Sequence, residues 1–355
     1  MQIIIDGRPL QTYSAFRGIG RYVRNIAQTF DRDERAAFLY FRGNDALPDS
    51  NQKIFSALPR RMITLTDSTS LPVIFSRHQP ICYHSTAYAL PQKARNVRYL
   101  LTVFDLTPLK FPQFFSRRHR LVFKMIIKSA LRADTVLAIS AKTAADLQEF
   151  IPIDKTRIEI IHCMLDNRIT PAFAEKPPGP LPGEYLLYTG GADRVKNLET
   201  LLQAISRLQV PLLIAGKISE ARAAQLLAAL PALDRRLVTF TGYVPDSQLV
   251  WLYKNAAAFV FPSLNEGFVY PPLESLQCGT AAIVSRAGSL PEILGNAAVF
   301  VDQPLAVDEW VEKIRRLLED AEMQRTLIAS GQRLLRKYAP AEFKKNLERI
   351  YFQDK

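Results

Sequence analysis

Two glutamates, Glu266 and Glu274, stand on either side of a segment whose chemistry suits a sugar diphosphate. The apolar run before them, residues 256–261, predicts a buried strand, and the prolines at 271–272 predict a first helical turn, where a missing N–H costs nothing. Such a helix start carries partial positive charge and unpaired donors, which favour phosphate. We expect Glu274 to accept hydrogen bonds from a ribose diol and Glu266 to face a sugar. The predicted donor contacts here are Glu266, Gly267, Phe268, Val269, Tyr270 and Glu274.

A second segment strengthens this interpretation, because the two glutamates alone would more often be surface or capping residues. Gly190 and Gly191 end a predicted strand, and Arg194 and Lys196 follow just before a predicted helix. Glycines let a backbone approach a ligand closely, and the cations can neutralise a diphosphate. Lying in the same half of the chain, the two segments together predict a nucleotide diphosphate site.

Composition indicates a soluble globular protein. The chain has 355 residues, enough for two cores, and is 48% hydrophobic. No apolar run approaches the length of a membrane span or a signal segment. Cys82, Cys163 and Cys278 have no metal-binding spacing and cannot pair evenly, which fits a reducing cytoplasm.

The net charge of +12 lies almost entirely in the first half of the chain and predicts an anionic partner. Residues 117–132 read as a basic amphipathic helix, with Val122, Met125, Ile126 and Ala130 turned away from the cations. Two interpretations stay open: a solvated face covering the core, or docking on an anionic membrane surface. The basic stripe consists of Arg120, Lys124, Lys128 and Arg132.

The order of elements predicts an α/β protein with two Rossmann-like, doubly wound domains facing across a cleft. Apolar strands alternate with amphipathic helices throughout, which is typical of parallel sheets. The proline-rich residues 170–183 predict a linker. We therefore expect an N-terminal acceptor-binding domain at 1–172, a donor-binding domain at 173–339, and a last helix at 340–355 that packs back on the first domain. Ligands of such sheets bind at the carboxyl ends of the strands.

The chain resembles a known family, the retaining nucleotide-sugar glycosyltransferases of family 4, which have the GT-B fold. The resemblance covers nearly the whole chain. Residues 261–268 with Glu274 look like the two-glutamate signature of that family, and residues 189–197 look like its phosphate-binding segment. Residues 242–246 resemble the base-binding segment, and residues 18–22 resemble the N-terminal glycine loop.

The resemblance implies a role for each matching residue. Lys196 would hold the donor diphosphate, Glu266 would contact the donor sugar, and Glu274 would bind ribose. The backbone of Val244 would meet the base, and Asp105 would face the acceptor and the donor sugar. Asp105, Glu266 and Lys196 are thus the expected catalytic residues. The loop beside the phosphates and acceptor would contain Gly18 and Gly20.

Three positions depart from the family pattern. Phe104 stands before Asp105 where a histidine is common, so the proton acceptor would be Asp105, the donor phosphate or water. Arg194 is displaced by one residue from its usual place. Val269 replaces a loop glycine. A β-branched residue avoids φ > 0, and its side chain adds bulk, so we expect Val269 to crowd the phosphates.

The expected reaction is retaining, metal-independent transfer of a hexose from a UDP- or GDP-sugar to a glycan or lipid-linked acceptor, in polysaccharide or glycolipid biosynthesis. No cofactor or metal is expected. Asp31 and Asp33 have metal-binding spacing, but they follow a helix and are expected to be structural. His84 is expected to be a core or loop residue more than an acceptor contact.

Two alternatives stay open at this point. A nucleotide-sugar 2-epimerase would keep the fold and need no acceptor. A non-catalytic nucleic-acid-binding protein would explain the basic first half, although no aromatic residues interleave the basic stripe.

Overall fold

Each half of the chain is built on its own parallel sheet. The computed structural model describes residues 1–12, 18–41, 62–65, 81–87, 89–166 and 168–352. Two units are distinguished, unit 1 with Met1–Met164 and Pro340–Lys355, and unit 2 with Leu165–Ala339. The division falls before the boundary predicted at 172, because the backbone N–H of Leu165 already bonds to the carbonyl of Tyr338 in unit 2, at 3.0 Å.

The sheet of unit 1 is parallel, and its strand order is β3-β2-β1-β4-β5-β6-β7. The chain leaves β1 toward one edge and returns to β4 on the other side, so the switch point at which such sheets bind ligands lies between β1 and β4. The strands are β1 (Gln2–Asp6), β2 (Ala36–Phe41), β3 (Met62–Leu65), β4 (Ile81–Ser85), β5 (Val97–Val103), β6 (Thr135–Ala138) and β7 (Ile158–Ile160).

Helices of unit 1 cover a sheet whose central strands are buried on both faces, as their continuous apolar runs predict. The first glycines of the predicted loop, Gly18 and Gly20, instead form the first turn of a helix. The predicted basic helix ends at Ile127 and continues as a 3₁₀ segment, Lys128–Arg132. The helices are α1 (Gly18–Thr29), α2 (Thr107–Lys110), α3 (Arg117–Ile127) and α4 (Ala141–Phe150).

Unit 2 repeats the doubly wound plan with strand order β10-β9-β8-β11-β12-β13. Its switch point lies between the adjacent strands β8 and β11. The strands are β8 (Leu186–Thr189), β9 (Leu212–Ala215), β10 (Val238–Gly242), β11 (Ala258–Phe261), β12 (Ala282–Ser285) and β13 (Ala298–Val301). The helices are α5 (Leu198–Leu208), α6 (Glu220–Ala228), α7 (Asp246–Asn255), α8 (Tyr270–Gln277), α9 (Leu290–Leu294), α10 (Val307–Glu319) and α11 (Ala321–Leu334).

The proline-rich segment predicted as a linker packs on unit 2. The backbone N–H of Glu175 donates to the carbonyl of Ser247 at 3.1 Å, and the Ser247 hydroxyl donates to the Glu175 carboxylate at 3.0 Å.

The last helix, α12 (Pro340–Tyr351), belongs to unit 1. The Tyr351 ring lies against Phe30 and His84 at centroid distances of 5.4 and 5.7 Å. Residues 353–355, the end of the predicted helix, lie outside the described part of the chain.

Candidate active site

Two glycine backbones approach each other closely at the carboxyl ends of β8 and β9. Gly190 has φ +144° and donates its N–H to the carbonyl of Ala215 at 3.0 Å. A Cβ on Gly216 would lie 2.1 Å from the carbonyl oxygen of Gly190, so no side chain fits there. The Tyr188 hydroxyl donates to the carbonyl of Gly191 at 2.6 Å, and this bond fixes the residue after Gly190. The strand end is thus a rigid, bare backbone, which suits close approach by a ligand.

Lys196 is placed by its neighbour Asn197. Residues Arg194–Lys196 form a 3₁₀ turn, and Asn197 takes the left-handed conformation with φ 55° before α5. The Asn197 amide donates to the carbonyls of Pro262 and Pro304, at 3.2 and 2.9 Å. Asn197 therefore holds the turn at residues 194–196 against the segment that follows β11. Arg194 is exposed on the same turn.

Lys196 and Glu266 meet in an ion pair. Their Nζ and Oε1 atoms are 2.7 Å apart, and the side chains are 27% and 14% exposed. The two residues follow β8 and β11, the strands on either side of the switch point. The structure thus brings together two residues far apart in sequence, at the position where doubly wound sheets bind ligands.

The Glu266 backbone rests on a glycine that the sequence-based prediction missed. Gly288 has φ +56°, and a Cβ there would lie 2.5 Å from the Glu266 nitrogen. The next residue, Ser289, donates its N–H to the Glu266 carbonyl at 3.1 Å. The contact between Gly288 and Glu266 has no signal in sequence spacing.

Glu274 is buried in the middle of α8, with 2% exposure. The helix begins at Tyr270 with prolines in its first turn, as predicted. The Tyr253 hydroxyl on α7 donates to Glu274 Oε2 at 3.1 Å and lies 3.1 Å from the Thr189 hydroxyl at the end of β8. Tyr253 is a second residue that the sequence-based prediction missed, and it connects Glu274 to the glycine turn.

The expected strain at Val269 is absent. Its φ is −121°, an angle that valine adopts readily, and its side chain is fully buried. Val269 therefore needs no positive φ, and its expected effect on the donor phosphates stays a prediction. Phe268 and Tyr270 are buried too, with Phe268 against Tyr338 at 5.6 Å, and Gly267 is buried beside them. These four residues pack in the interior of unit 2.

Val244 follows the edge strand β10 and is half-buried. Gly242 turns the chain there with φ +71°, and Tyr243 between them is 67% exposed.

In unit 1, Asp105 lies half-buried at the carboxyl end of β5, and its Oδ1 accepts the N–H of Thr107 at 2.9 Å. The Phe104 ring is buried edge-on against Tyr22, at 5.2 Å. Tyr22 follows Gly18 and Gly20 on α1, so this contact brings the start of α1 to the end of β5. The phenylalanine that replaces a histidine is thus a packing residue.

His84 is a core residue, the alternative favoured from the sequence. Its Nδ1 lies 2.7 Å from the Tyr351 hydroxyl and its Nε2 2.7 Å from the Thr102 hydroxyl. Burial lowers the pKa of His84 to about 3, because the charged imidazolium would lose its hydration. Both ring nitrogens are engaged, so His84 is a structural residue that ties α12 to the sheet.

Asp33, of the pair with metal-binding spacing, is engaged by Arg35. The guanidinium forms two bonds to the carboxylate, at 2.9 and 2.7 Å. The hydrogen bond from Arg35 is the main cause that lowers the pKa of Asp33. The contact is a surface ion pair beside the start of β2.

The basic stripe differs from its prediction in what surrounds it. Lys124 and Lys128 are exposed and Arg120 is half-buried, while the exposed Arg132 donates to the carbonyl of Leu90 at 2.6 Å. Of the four apolar residues expected to face elsewhere, Val122, Met125 and Ile126 are exposed as well, and Ala130 is buried. Within the described residues, no helix is both long and apolar enough to span a bilayer.

Two doubly wound α/β units, each built on its own parallel sheet, are the architecture of the GT-B fold. The model "Glycosyltransferase Family 4" matches residues 16–168, and the model "Glycosyl transferases group 1" matches residues 171–334. Together the two models cover most of the chain, which belongs to the GT-B glycosyltransferases of the family 4 type. That membership favours an enzyme over a nucleic-acid-binding protein.

Curated relatives include mannosyltransferases of Escherichia coli. The serotype-specific mannosyltransferase WbdA is 27% identical over 90% of the chain, which spans 44% of that protein's length. The O-antigen chain mannosyltransferase B is 27% identical over 93% of the chain and 94% of its own length.

Solved structures share the fold. A sucrose-phosphate synthase from Thermosynechococcus elongatus superposes with a TM-score of 0.77 at 20% identity, over 99% of this chain and 98% of that one. Anabaena HepE in complex with UDP-glucose gives 0.75 at 15% identity, over 99% of both chains.

Proposed function

We propose that the protein is a retaining, metal-independent hexosyltransferase that uses a nucleotide diphosphate sugar. Unit 2 would bind the donor and unit 1 the acceptor. The observation that carries the proposal is the Lys196–Glu266 ion pair at the switch point of the second sheet, next to the bare glycine turn and the buried Glu274.

The chemistry requires positive charge at the leaving group. Cleavage of the sugar–phosphate bond leaves a nucleoside diphosphate whose negative charge grows in the transition state. Lys196, the exposed Arg194 and the start of α8 would supply that charge without a metal. Glu266, now paired with Lys196, would face the donor sugar once the diphosphate engages the lysine.

The acceptor hydroxyl attacks the same face of the sugar from which the diphosphate departs, so the anomeric configuration is retained. Its proton would pass to the departing phosphate, to water or to Asp105, which is half-buried at the strand end of unit 1. Glu274 would hold the ribose and the Val244 backbone would meet the base.

The sugar and acceptor are proposed from the relatives. Because the similar proteins are named as mannosyltransferases, mannose is the first hexose to test, and a glycan or lipid-linked chain is the first acceptor. HepE is described with UDP and UDP-glucose, so UDP- and GDP-sugars both belong in the panel. A polysaccharide or glycolipid pathway would use this reaction.

We place the reaction in the cytoplasm, peripherally at the inner face of the membrane. Cys82, Cys163 and Cys278 are buried, as expected of thiols that act as small apolar groups in a reducing compartment.

The test incubates the protein with radiolabelled UDP- and GDP-hexoses, with and without acceptor glycans. Label on an acceptor supports transfer, whereas epimerised donor without an acceptor supports the 2-epimerase. Lys196→Ala should lower kcat by roughly 100- to 1000-fold, the effect of removing one donor that stabilises developing charge. Glu266→Gln keeps the shape and removes the charge, and it should also lower kcat.

A matched control lies on α10. Lys313 and Glu309 form an ion pair of 2.6 Å with similar exposure, 23% and 18%, after the edge strand β13. Lys313→Ala should lose stability and keep kcat. Wild-type turnover in Lys196→Ala, or equal losses in both lysine variants, would remove Lys196 from the site.

A further inference from the structure

Helix α3 turns apolar side chains to solvent. Leu121 and Met125 are 62% and 67% exposed, and Val122 and Ile126 are 46% and 37% exposed. Among residues 117–127, all of which the structure describes, Ile127 is the one that is buried. A helix that covers a core buries its apolar stripe. The stripe of α3 faces the other way, so core packing does not explain it.

The exposed side chains form one continuous arc. With 3.6 residues per turn, Leu121, Val122, Met125 and Ile126 share one side of α3, and Ile127 points away from them. Leu131, in the following 3₁₀ segment, is 39% exposed and lengthens the apolar surface. We name this surface, Leu121, Val122, Met125, Ile126 and Leu131, the apolar face of α3.

Cations border the apolar face. Lys124 and Lys128 are exposed one turn apart along one border, and Arg117 and Arg118 are exposed at the first turn. The sequence contains no Asp or Glu between Asp105 and Asp134. The positive charge is therefore not offset by acidic residues of the same segment.

We propose that the apolar face of α3 docks on an anionic lipid bilayer. Leu121 and Met125 would enter the boundary between headgroups and acyl chains, while Lys124 and Lys128 would contact anionic headgroups. A second copy of the chain is a poorer occupant, because two such cationic surfaces repel each other. The use of the surface rests on the proposed function, since a lipid-linked acceptor would lie in the same bilayer.

The experiment is sedimentation with vesicles of phosphatidylcholine, either pure or mixed equally with phosphatidylglycerol. The protein should sediment with the anionic vesicles, and added salt should weaken that binding. Leu121→Ser with Met125→Ser, and separately Lys124→Glu with Lys128→Glu, should each weaken binding at least about tenfold. The first double variant keeps the charge, so its loss reports apolar contact.

Unit 2 offers a matched control in Phe173 and Leu305, which are 58% and 68% exposed. Phe173→Ser with Leu305→Ser should sediment like the wild type. The proposal is overturned if the wild type ignores anionic vesicles or if the α3 variants bind them equally well. It is also overturned if sedimentation velocity shows a dimer that the serine variants dissociate.

Nucleotide binding by calorimetry separates this proposal from the proposed function. The α3 variants should retain wild-type affinity for nucleoside diphosphates. Vesicle binding without any nucleotide affinity would refute the proposed function and leave the docking surface standing.

Discussion

Tyr253→Phe tests whether Glu274 anchors the nucleotide. The substitution removes one oxygen and keeps the ring, which packs on Phe259 at a centroid distance of 5.5 Å. It deletes the 3.1 Å hydrogen bond to Glu274, a carboxylate with 2% exposure. Water cannot easily replace the lost donor at such a buried position.

The magnitude follows from the type of bond. A hydrogen bond to a charged group contributes about 1.5–3 kcal/mol, which corresponds to roughly 10- to 150-fold in a binding constant. If Glu274 holds the ribose, the nucleoside diphosphate Kd should rise by up to that factor, because the bond orients the carboxylate for the ligand. Because ribose is bound alike in the ground and transition states, kcat at saturating donor should change little.

The assay is calorimetric titration with UDP and GDP, together with kcat and KM for the donor. Tyr185→Phe is the matched control, because its buried hydroxyl donates to the carbonyl of Leu252 at 3.0 Å in the same unit. Both variants should lose stability, and only Tyr253→Phe should lose nucleotide affinity. Equal Kd values in the two variants would refute the anchoring role of Glu274.

Two further predictions concern Gly288 and His84. Gly288→Ala should lower kcat by more than about tenfold, since its Cβ would displace the Glu266 backbone. Gly295→Ala, with a similar φ of +53° and open space around the Cβ, should lose stability and keep kcat, and equal kcat values would contradict the reasoning. His84 has its pKa lowered to about 3, so the unfolded state binds more protons as pH falls below 6.5, and stability must fall with it. The free energy of unfolding should drop by about 2 kcal/mol from this residue at pH 5. Urea unfolding of His84→Gln should show a smaller loss between pH 7 and 5 than His119→Gln, and equal losses would exclude His84 as the cause.

The fold could be predicted from the sequence where an apolar run stands beside a local signal such as proline. The strand before Glu266 and the proline-started helix after it were predicted closely, because proline and burial act locally. Strand β2, Ala36–Phe41, was not predicted, since a short apolar run has no periodicity that separates strand from helix.

The site followed from sequence only in part. Glu266 and Lys196 were predicted as partners of one ligand, but their ion pair, the Gly288 contact and the Tyr253 bond join distant segments that periodicity does not connect. The prediction for Val269 assumed a positive φ, and only the folded backbone could show that its φ is −121°. The periodicity of α3 predicted an apolar side correctly and could not tell which side faces the core, because both arrangements share one pattern.

The two glutamates differ in how they are held, and this makes their roles separable. Glu274 is buried on a helix and contacts Tyr253, whereas Glu266 lies on a loop between Lys196 and the Gly288 backbone. A buried, helix-borne carboxylate suits a contact that stays constant through the reaction, and a loop carboxylate paired with Lys196 suits one that changes as charge moves. Tyr253→Phe should therefore act on Kd and Gly288→Ala on kcat. If both substitutions changed the same parameter, the glutamates would act as one unit, and the division between nucleotide anchor and sugar contact would be wrong.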